Sequence, residues 1–322
     1  MLSKKIYEYL KSFKASSIFY NFLHRKELKH NREAMKKYRV DKPDFWSVSS
    51  KDFKNLPQEF PWLDQPDALE KLKQEKTFLS FEKSLQEKII QFVNDGYLIL
   101  EDFFSKKTMN EINEEIDTLL KNKTVDFGFT KNKIMFAFKH SEKIKQVMND
   151  EKLLSLLTFL IGKKMLSFQT INFISGSEQK AHSDSIHMTT YPPGHLLAAW
   201  IALEKVDASN GPLFYYPGSH KLPYIMNEDF DHGGNYLRIG DEAYKSYEEK
   251  IESLIQKHQL KKTEFHANTG DVLLWHANLL HGGTPILNTE STRKSMVVHY
   301  YAEGVIKYHE LTQRPSLMKE NN

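Results

Sequence analysis

An α+β fold is predicted, with helices leading into a β-sandwich or barrel of short strands. Three observations predict it. In the first half, apolar residues recur at helical spacing, as in Leu85, Ile89, Phe92 and Val93 and again in Met109, Ile112, Ile116 and Leu119. From about residue 167 the period drops to two in SFQTINFIS, LLAAWIALEKV, GPLFYYP, DVLLWHA and SMVVHYY. Turn signals such as Asn210-Gly211 and Pro217-Gly218-Ser219 separate these runs.

The 322 residues suit one large domain with a helical extension, or two small domains. The chain contains no cysteine, which excludes disulfides, iron–sulfur clusters, thiolate zinc sites and cysteine nucleophiles. That absence fits a reducing compartment, and a cytoplasmic location is expected. No run is long and apolar enough to span a bilayer, and the N-terminus has no apolar signal core. The net charge is +3, but it is unevenly spread. Residues 1–40 hold eleven Lys/Arg against three Glu, a balance of +8, which leaves −5 for the remainder. No nucleic-acid-binding motif accompanies this basic head.

Residues 1–80 read as a basic helical extension and lead-in. Ile6, Leu10, Phe13, Phe19, Phe22 and Leu23 fall near helical spacing with lysines between them. They predict a helix packed on the body with a solvated basic face. The alternative is a helix lying on anionic lipid or meeting an acidic partner. Pro57, Pro61 and Pro66 argue against long regular structure in the lead-in, save a short helix near 66–75. The main domain is expected over 81–310. Ser84 and Glu87 form a capping-box pattern for a helix that Asn94-Asp95-Gly96 ends. A strand follows at 97–104, and Ser105 opens the next helix. Residues 133–139 are a candidate strand, and 151–161 a helix closed by Gly162. A charged, Tyr-rich insertion over 224–262 interrupts the strands, and 311–322 reads as a tail.

Within the strand-rich half, His182 and Asp184 stand two apart. On a strand, residues two apart face the same side, so imidazole and carboxylate can share one metal. Two His and one carboxylate hold one face of a ferrous iron and leave three positions open. In a chain with 14 His the pair alone is weak, and a third ligand must come from a distant strand. His281, after DVLLW and before Gly282-Gly283, is well placed; His276 competes, with a barrel-wall or surface role as its plainer reading. Arg293 precedes the apolar run SMVVHYY. An inward guanidinium there could grip the 5-carboxylate of an iron-chelated 2-oxoglutarate, whereas an outward one would be an ordinary surface arginine.

HSD (182–184), AWIALEKVDASNGPLFYYPGSHK (199–221), GDVLLWHANLLHGG (270–283) and Arg293 occur together in order. With them, residues 84–305 resemble the phytanoyl-CoA dioxygenase family of iron(II)/2-oxoglutarate oxygenases. The resemblance implies a double-stranded β-helix (a jelly roll) flanked by N-terminal helices. It implies His182, Asp184 and His281 as iron ligands and Arg293 as the 2-oxoglutarate anchor. Gln169 and Trp200 are similar to family residues at the cosubstrate, although pleated-sheet packing would equally explain both. Family members often carry Ser or Thr two residues past the distal His, where this chain has Gly283; a backbone group or Thr284 would have to replace that hydroxyl. Related halogenases lack the carboxylate that Asp184 supplies, so halogenation is not expected. His220, in the PGSH turn, reads as a turn residue.

The implied cofactors are Fe(II), 2-oxoglutarate as cosubstrate, and O2. The implied reaction is C–H hydroxylation with release of succinate and CO2. His187, Thr189, Tyr191 and residues 224–248 of the insertion are the substrate-facing candidates, and the polar tract 185–195 bordering the iron mouth favours a small polar metabolite, a sugar or a lipid head group. Three alternatives stand beside this reading: an inactive jelly-roll binding protein, a zinc hydrolase using the same His/Asp/His set, and a membrane-bound scaffold with an incidental barrel.

Overall fold

The computed structural model describes residues 12–127, 132–235 and 237–318. Helices α1 (Lys14–Leu23) and α2 (Lys29–Lys37) form the described part of the basic head. The expected inward apolar face is not found on α1. Phe19, Phe22 and Leu23 are exposed, whereas Ser17 and Asn21 are buried and the Asn21 amide donates to the Phe45 carbonyl (3.2 Å). Ile6 and Leu10 lie outside the described residues. Docking is done by α2, which packs Ala34 and Met35 against Val48, Phe53, Tyr191 and Tyr308.

The lead-in contains α3 (Ala68–Leu72), inside the expected window, and α4 (Lys76–Ser80). Helix α5 (Lys83–Asp95) starts one residue before the predicted cap. Ser84 thus falls inside its first turn, and the Ser84/Glu87 capping box does not form; the cap residue Glu82 makes no side-chain bond. Gly96 ends α5 with φ 81°, and a Cβ there would strike the His220 ring. Strand β1 (Tyr97–Leu100) stops short of the predicted 104 because Asp102 turns the chain at φ 49°. The Ser105 hydroxyl caps α6 (Lys106–Lys121), which buries Met109, Ile112, Ile116 and Leu119. Strand β2 (Lys133–Met135) is likewise shorter than 133–139, ended by Phe136 at φ 60°. Helices α7 (Glu142–Met148) and α8 (Glu151–Ile161) follow, and Gly162 closes α8 as predicted.

The strand-rich half runs β3 (Met165–Phe173), β4 (Thr189–Tyr191), β5 (Leu196–Ala202) and β6 (Leu213–Tyr215). Helix α9 (Ala243–Lys257) forms the helical part of the insertion. Then come β7 (Thr263–Phe265), β8 (Val272–His276), β9 (His281–Gly283), β10 (Ser295–Ala302), β11 (Ile306–His309) and β12 (Arg314–Pro315). Residues past 310 are not simply a tail, because β12 pairs with β11.

The main sheet has the order β1-β8-β5-β10-β3-β2, and a smaller one the order β7-β6-β9. Alternation explains why β5, β8 and β10 are buried at every position. Leu197, Ala199 and Ile201 join Leu274, Met296 and Val298 in the core shared with the helices. Ala198, Trp200, Leu273, Trp275 and Val297 face the other way, onto Leu213, Tyr215 and Phe265 of the smaller sheet. Two facing antiparallel sheets with helices behind one of them make the double-stranded β-helix with flanking helices. Among the described residues, no helix is long and apolar enough to cross a membrane.

Glu310 binds distant segments together. Its fully buried carboxylate accepts from Ser50 N (2.9 Å), Ser50 Oγ (2.7 Å) and Asn227 N (3.2 Å), and its own N–H donates to Thr189 Oγ1 (3.2 Å). Replacing it leaves buried donors without acceptors, at a cost of about 3 kcal/mol. Glu310→Ala should therefore lower the urea midpoint markedly, while Glu303→Ala, at an exposed position, should leave it within about 0.5 kcal/mol. Equal midpoints for the two variants would show that Glu310 is not a tie.

Candidate metal centre

Two backbone hydrogen bonds assemble the site. His182 N donates to His281 O (3.0 Å) and His281 N to His182 O (2.9 Å), an isolated antiparallel bridge. His281 opens β9. His182 and Asp184, however, are not on a strand: Asp184 begins a single 3-10 turn, Asp184–Ile186. They still face one way because Ser183 between them is extended (φ −109°, ψ 149°). The Ser183 N–H is fixed by the Tyr247 hydroxyl of α9 (2.9 Å). One ligand atom from each of His182, Asp184 and His281 lies within 4.8 Å of the others, and all three residues are buried.

The hydrogen bonds set the protonation pattern that a metal needs. His182 Nδ1 contacts the Lys180 carbonyl (2.9 Å), and His281 Nδ1 the Leu279 carbonyl (2.9 Å). A carbonyl can only accept, so both Nδ1 atoms carry hydrogen and both Nε2 atoms present a lone pair, the donor a metal needs. Burial, together with the neighbouring His281, pushes His182 well below the usual imidazole range, so it is neutral. Burial alone would raise the Asp184 pKa, but His281 and the His299 contact outweigh it and hold the carboxyl well below the usual carboxylate range. The two carboxylate oxygens are differentiated. Oδ2 accepts from Trp275 Nε1 (2.8 Å) and lies 3.6 Å from His299 Nε2. Oδ1 faces His281 Nε2 at 3.7 Å, free to act as a single-atom ligand.

A cavity of about 900 Å³ opens over this centre. Gln169, Phe173, Trp200 and Arg293 are among the residues of its wall. The Arg293 guanidinium is stacked on Phe173 (5.3 Å) and Trp200 (5.5 Å). Nη1 donates to Ser295 Oγ (2.9 Å), while buried Nε has no partner. Burial lowers the Arg293 pKa to about 10, so it stays charged near neutrality. An unpaired buried guanidinium N–H fits an incoming carboxylate. The donor set and this orphaned group together suit iron with 2-oxoglutarate. Gly283 is explained by close approach: a Cβ there would collide with Ser177 Oγ, which itself lines the cavity. Thr284 does not replace the missing hydroxyl, since its Oγ1 donates to Pro212 O (3.0 Å) outside the cavity wall.

Of the expected substrate-facing residues, His187 lines the cavity, near Tyr244 and His309 (ring centroids 5.3 Å from each), and the insertion contributes Tyr244 and Glu248 to the same wall. Thr189 and Tyr191 do not line it. The Thr189 hydroxyl donates to Ser185 O (2.7 Å), and Tyr191 stacks on Phe53 and donates to Pro57 O (2.6 Å). β4 carries them into the third sheet, β12-β11-β4, away from the metal centre. His276 faces the opposite side of β8 and pairs with Asp64 (3.0 Å), so it does not compete for the metal. His220 sits in its turn against the Val93 carbonyl (3.3 Å).

The sequence reading missed Trp275, His299, Lys133 and Gln179. Strand parity could have found the first two: Trp275 lies two residues past Leu273, and His299 lies at even spacing from Arg293. No periodicity signals the other pair. Gln179, in an irregular segment, accepts from Lys133 Nζ through Oε1 (2.9 Å). Its Nε2 donates towards His182 Nε2 (3.2 Å) and Tyr244 Oη (3.3 Å). It thus occupies the lone pair that a metal would take, and metal binding must release it.

The sequence pattern of the family described as Phytanoyl-CoA dioxygenase (PhyH) matches residues 92–295, well over half of the chain. Ectoine dioxygenase of Halomonas elongata is 25% identical over 261 residues, 76% of this chain and 76% of that protein. The crystal structure of EctD from S. alaskensis with 2-oxoglutarate and 5-hydroxyectoine superposes with a TM-score of 0.53 at 22% identity, covering 67% of this chain and 75% of that one. The non-heme alpha-ketoglutarate-dependent carbocyclase SnoK from nogalamycin biosynthesis gives 0.58 at 14% identity, covering 76% and 95%. These two structures share the fold. The chain belongs to the phytanoyl-CoA dioxygenase family of iron(II)- and 2-oxoglutarate-dependent oxygenases.

Proposed function

We propose that this dioxygenase hydroxylates an unactivated C–H bond of a small polar metabolite, in the class of sugars and lipid head groups. The observation that carries the substrate class is the Lys133–Gln179–Tyr244 relay at the cavity wall, joined there by His187, His309, Lys180 and Glu248. Those groups offer hydrogen-bond donors and acceptors of both kinds, matched to hydroxyls and small charged groups rather than to an alkyl chain.

His182, Asp184 and His281 are read as the iron ligands, and Arg293 with Gln169 as the grip on the cosubstrate. Iron with 2-oxoglutarate and O2 supplies oxidative decarboxylation and C–H oxidation, giving succinate and CO2. The chain supplies geometry. Trp275 and His299 hold Asp184 Oδ2, which limits the carboxylate to one metal contact and keeps neighbouring positions open. Phe173 and Trp200 keep water from the arginine. Gln179, once displaced from His182 Nε2, is free to turn its amide to substrate beside Tyr244.

Anaerobic titration of Fe(II) and 2-oxoglutarate into apoprotein should produce the weak visible charge-transfer band of the chelate. His182→Ala should abolish the band, and Arg293→Ala should weaken 2-oxoglutarate binding about 100-fold. Iron binding without any band would sink the cosubstrate assignment and bring the zinc-hydrolase reading forward. Trp275→Phe keeps an aromatic ring but removes the donor to Asp184; iron affinity measured by chelator competition should fall roughly 10–100-fold. An unchanged affinity would mean that the indole does not orient the ligand. Succinate release should be stimulated by sugars, polyols or phospho-alcohol head groups, and Tyr244→Phe should raise the concentration needed about tenfold. Stimulation by fatty acyl-CoA alone would refute the polar-substrate reading.

A further inference from the structure

Helix α1 is built inside out. It buries Ser17 and Asn21 and exposes Phe19 (65%), Phe22 (47%), Leu23 (63%) and Tyr20 (53%). Leu237 (64% exposed) lies alongside, because Lys14 N donates to its carbonyl (3.0 Å). Exposed Arg25, Lys26 and Lys29 follow in the next turn. The Arg25 guanidinium lies 5.5 Å from the Phe22 ring centroid, which joins the cationic rim to the apolar patch. The patch exposes on the order of 400 Å² of large side chains, the size at which exposed apolar surface on a monomer is commonly functional.

Charge decides among the occupants. A two-fold pairing with a second copy would set the same cationic rim against itself. A standard protein interface needs about 800 Å² per partner, more than this one face offers. A bilayer boundary needs no such area: aromatic rings suit the head-group level, and Lys and Arg suit lipid phosphates. We propose that α1 lies on an anionic phospholipid surface, with Phe19, Tyr20, Phe22 and Leu23 at the boundary between head groups and acyl chains and Arg25, Lys26 and Lys29 on the phosphates. The anchor would be linked to the metal cavity through the insertion. Residues 12–14 pair with 237–239, shortly before α9 brings Tyr244 and Glu248 to the cavity wall.

The test is flotation of the full chain with phosphatidylcholine vesicles, with and without phosphatidylserine, at low and high salt. Phosphatidylserine should strengthen binding roughly a hundredfold at low salt, with the gain lost at high salt. Lys26→Glu/Lys29→Glu should remove that gain. Phe19→Ser/Leu23→Ser should weaken binding to anionic vesicles at least about tenfold. Circular dichroism and thermal midpoint, both independent of the enzymatic reading, should match wild type, since these side chains are exposed. Failure to float with either vesicle, or wild-type flotation of both variants, overturns the proposal. So does a concentration-dependent dimer lost in Phe19→Ser/Leu23→Ser, or binding to polyglutamate without binding to vesicles.

Discussion

The candidate metal centre depends on one two-bond bridge. His182 and His281 lie about a hundred positions apart, and the reciprocal bonds between their backbones set their imidazoles side by side, with ring centroids 4.5 Å apart. Everything else at the site refines that placement. Carbonyls choose which ring nitrogen keeps its hydrogen, Trp275 and His299 choose which Asp184 oxygen stays free, and Tyr247 fixes the residue between His182 and Asp184. A backbone bridge is a strong way to hold ligands, because it does not depend on the rotamer of any long side chain.

The fold was legible where burial imposes a period. β5, β8 and β10 read as largely apolar because each face of the sheet meets a different core, and the helices over 106–121 and 151–161 announced the residues that bound them, Ser105 and Gly162. Errors collected where the backbone leaves the regular regions. β1 and β2 stopped early at Asp102 and Phe136, both at positive φ without being glycine, so nothing in residue type warned of the turn. The pair at 182 and 184 was correctly taken as facing one way, but through one extended residue in a loop and not through a strand.

Site residues were legible when they belonged to the ordered motif or to the insertion 224–248, and hidden when, like Lys133 and Gln179, they came from elsewhere. Thr189 and Tyr191 follow the metal pair closely in sequence, yet β4 carries them into a different sheet. Tyr244 lies far along the chain, yet α9 returns it to the cavity. Proximity in sequence was a poor guide because the chain between His182 and β5 reverses within a few residues. The inverted polarity of α1 was hidden for a different reason. Spacing shows that a helix has an apolar face but does not show which way that face turns, and only Asn21, bonded to Phe45, reveals that the polar side points in.

The position of β10 has a consequence for how the chain is made. It lies between β5 and β3, is buried along its whole length, and is the last strand of its sheet to be synthesised. Until residue 302 has left the ribosome, β3 and β5 face an empty slot, and each presents an unpaired edge beside apolar side chains. From residue 202 to residue 302, about a hundred of the 322 residues, the nascent chain carries its central seam open, and insertion of β10 closes the sheet. A ribosome stalled between residues 202 and 302 releases a product with two adhesive edges, which opens a route to misassembly that the finished chain has closed.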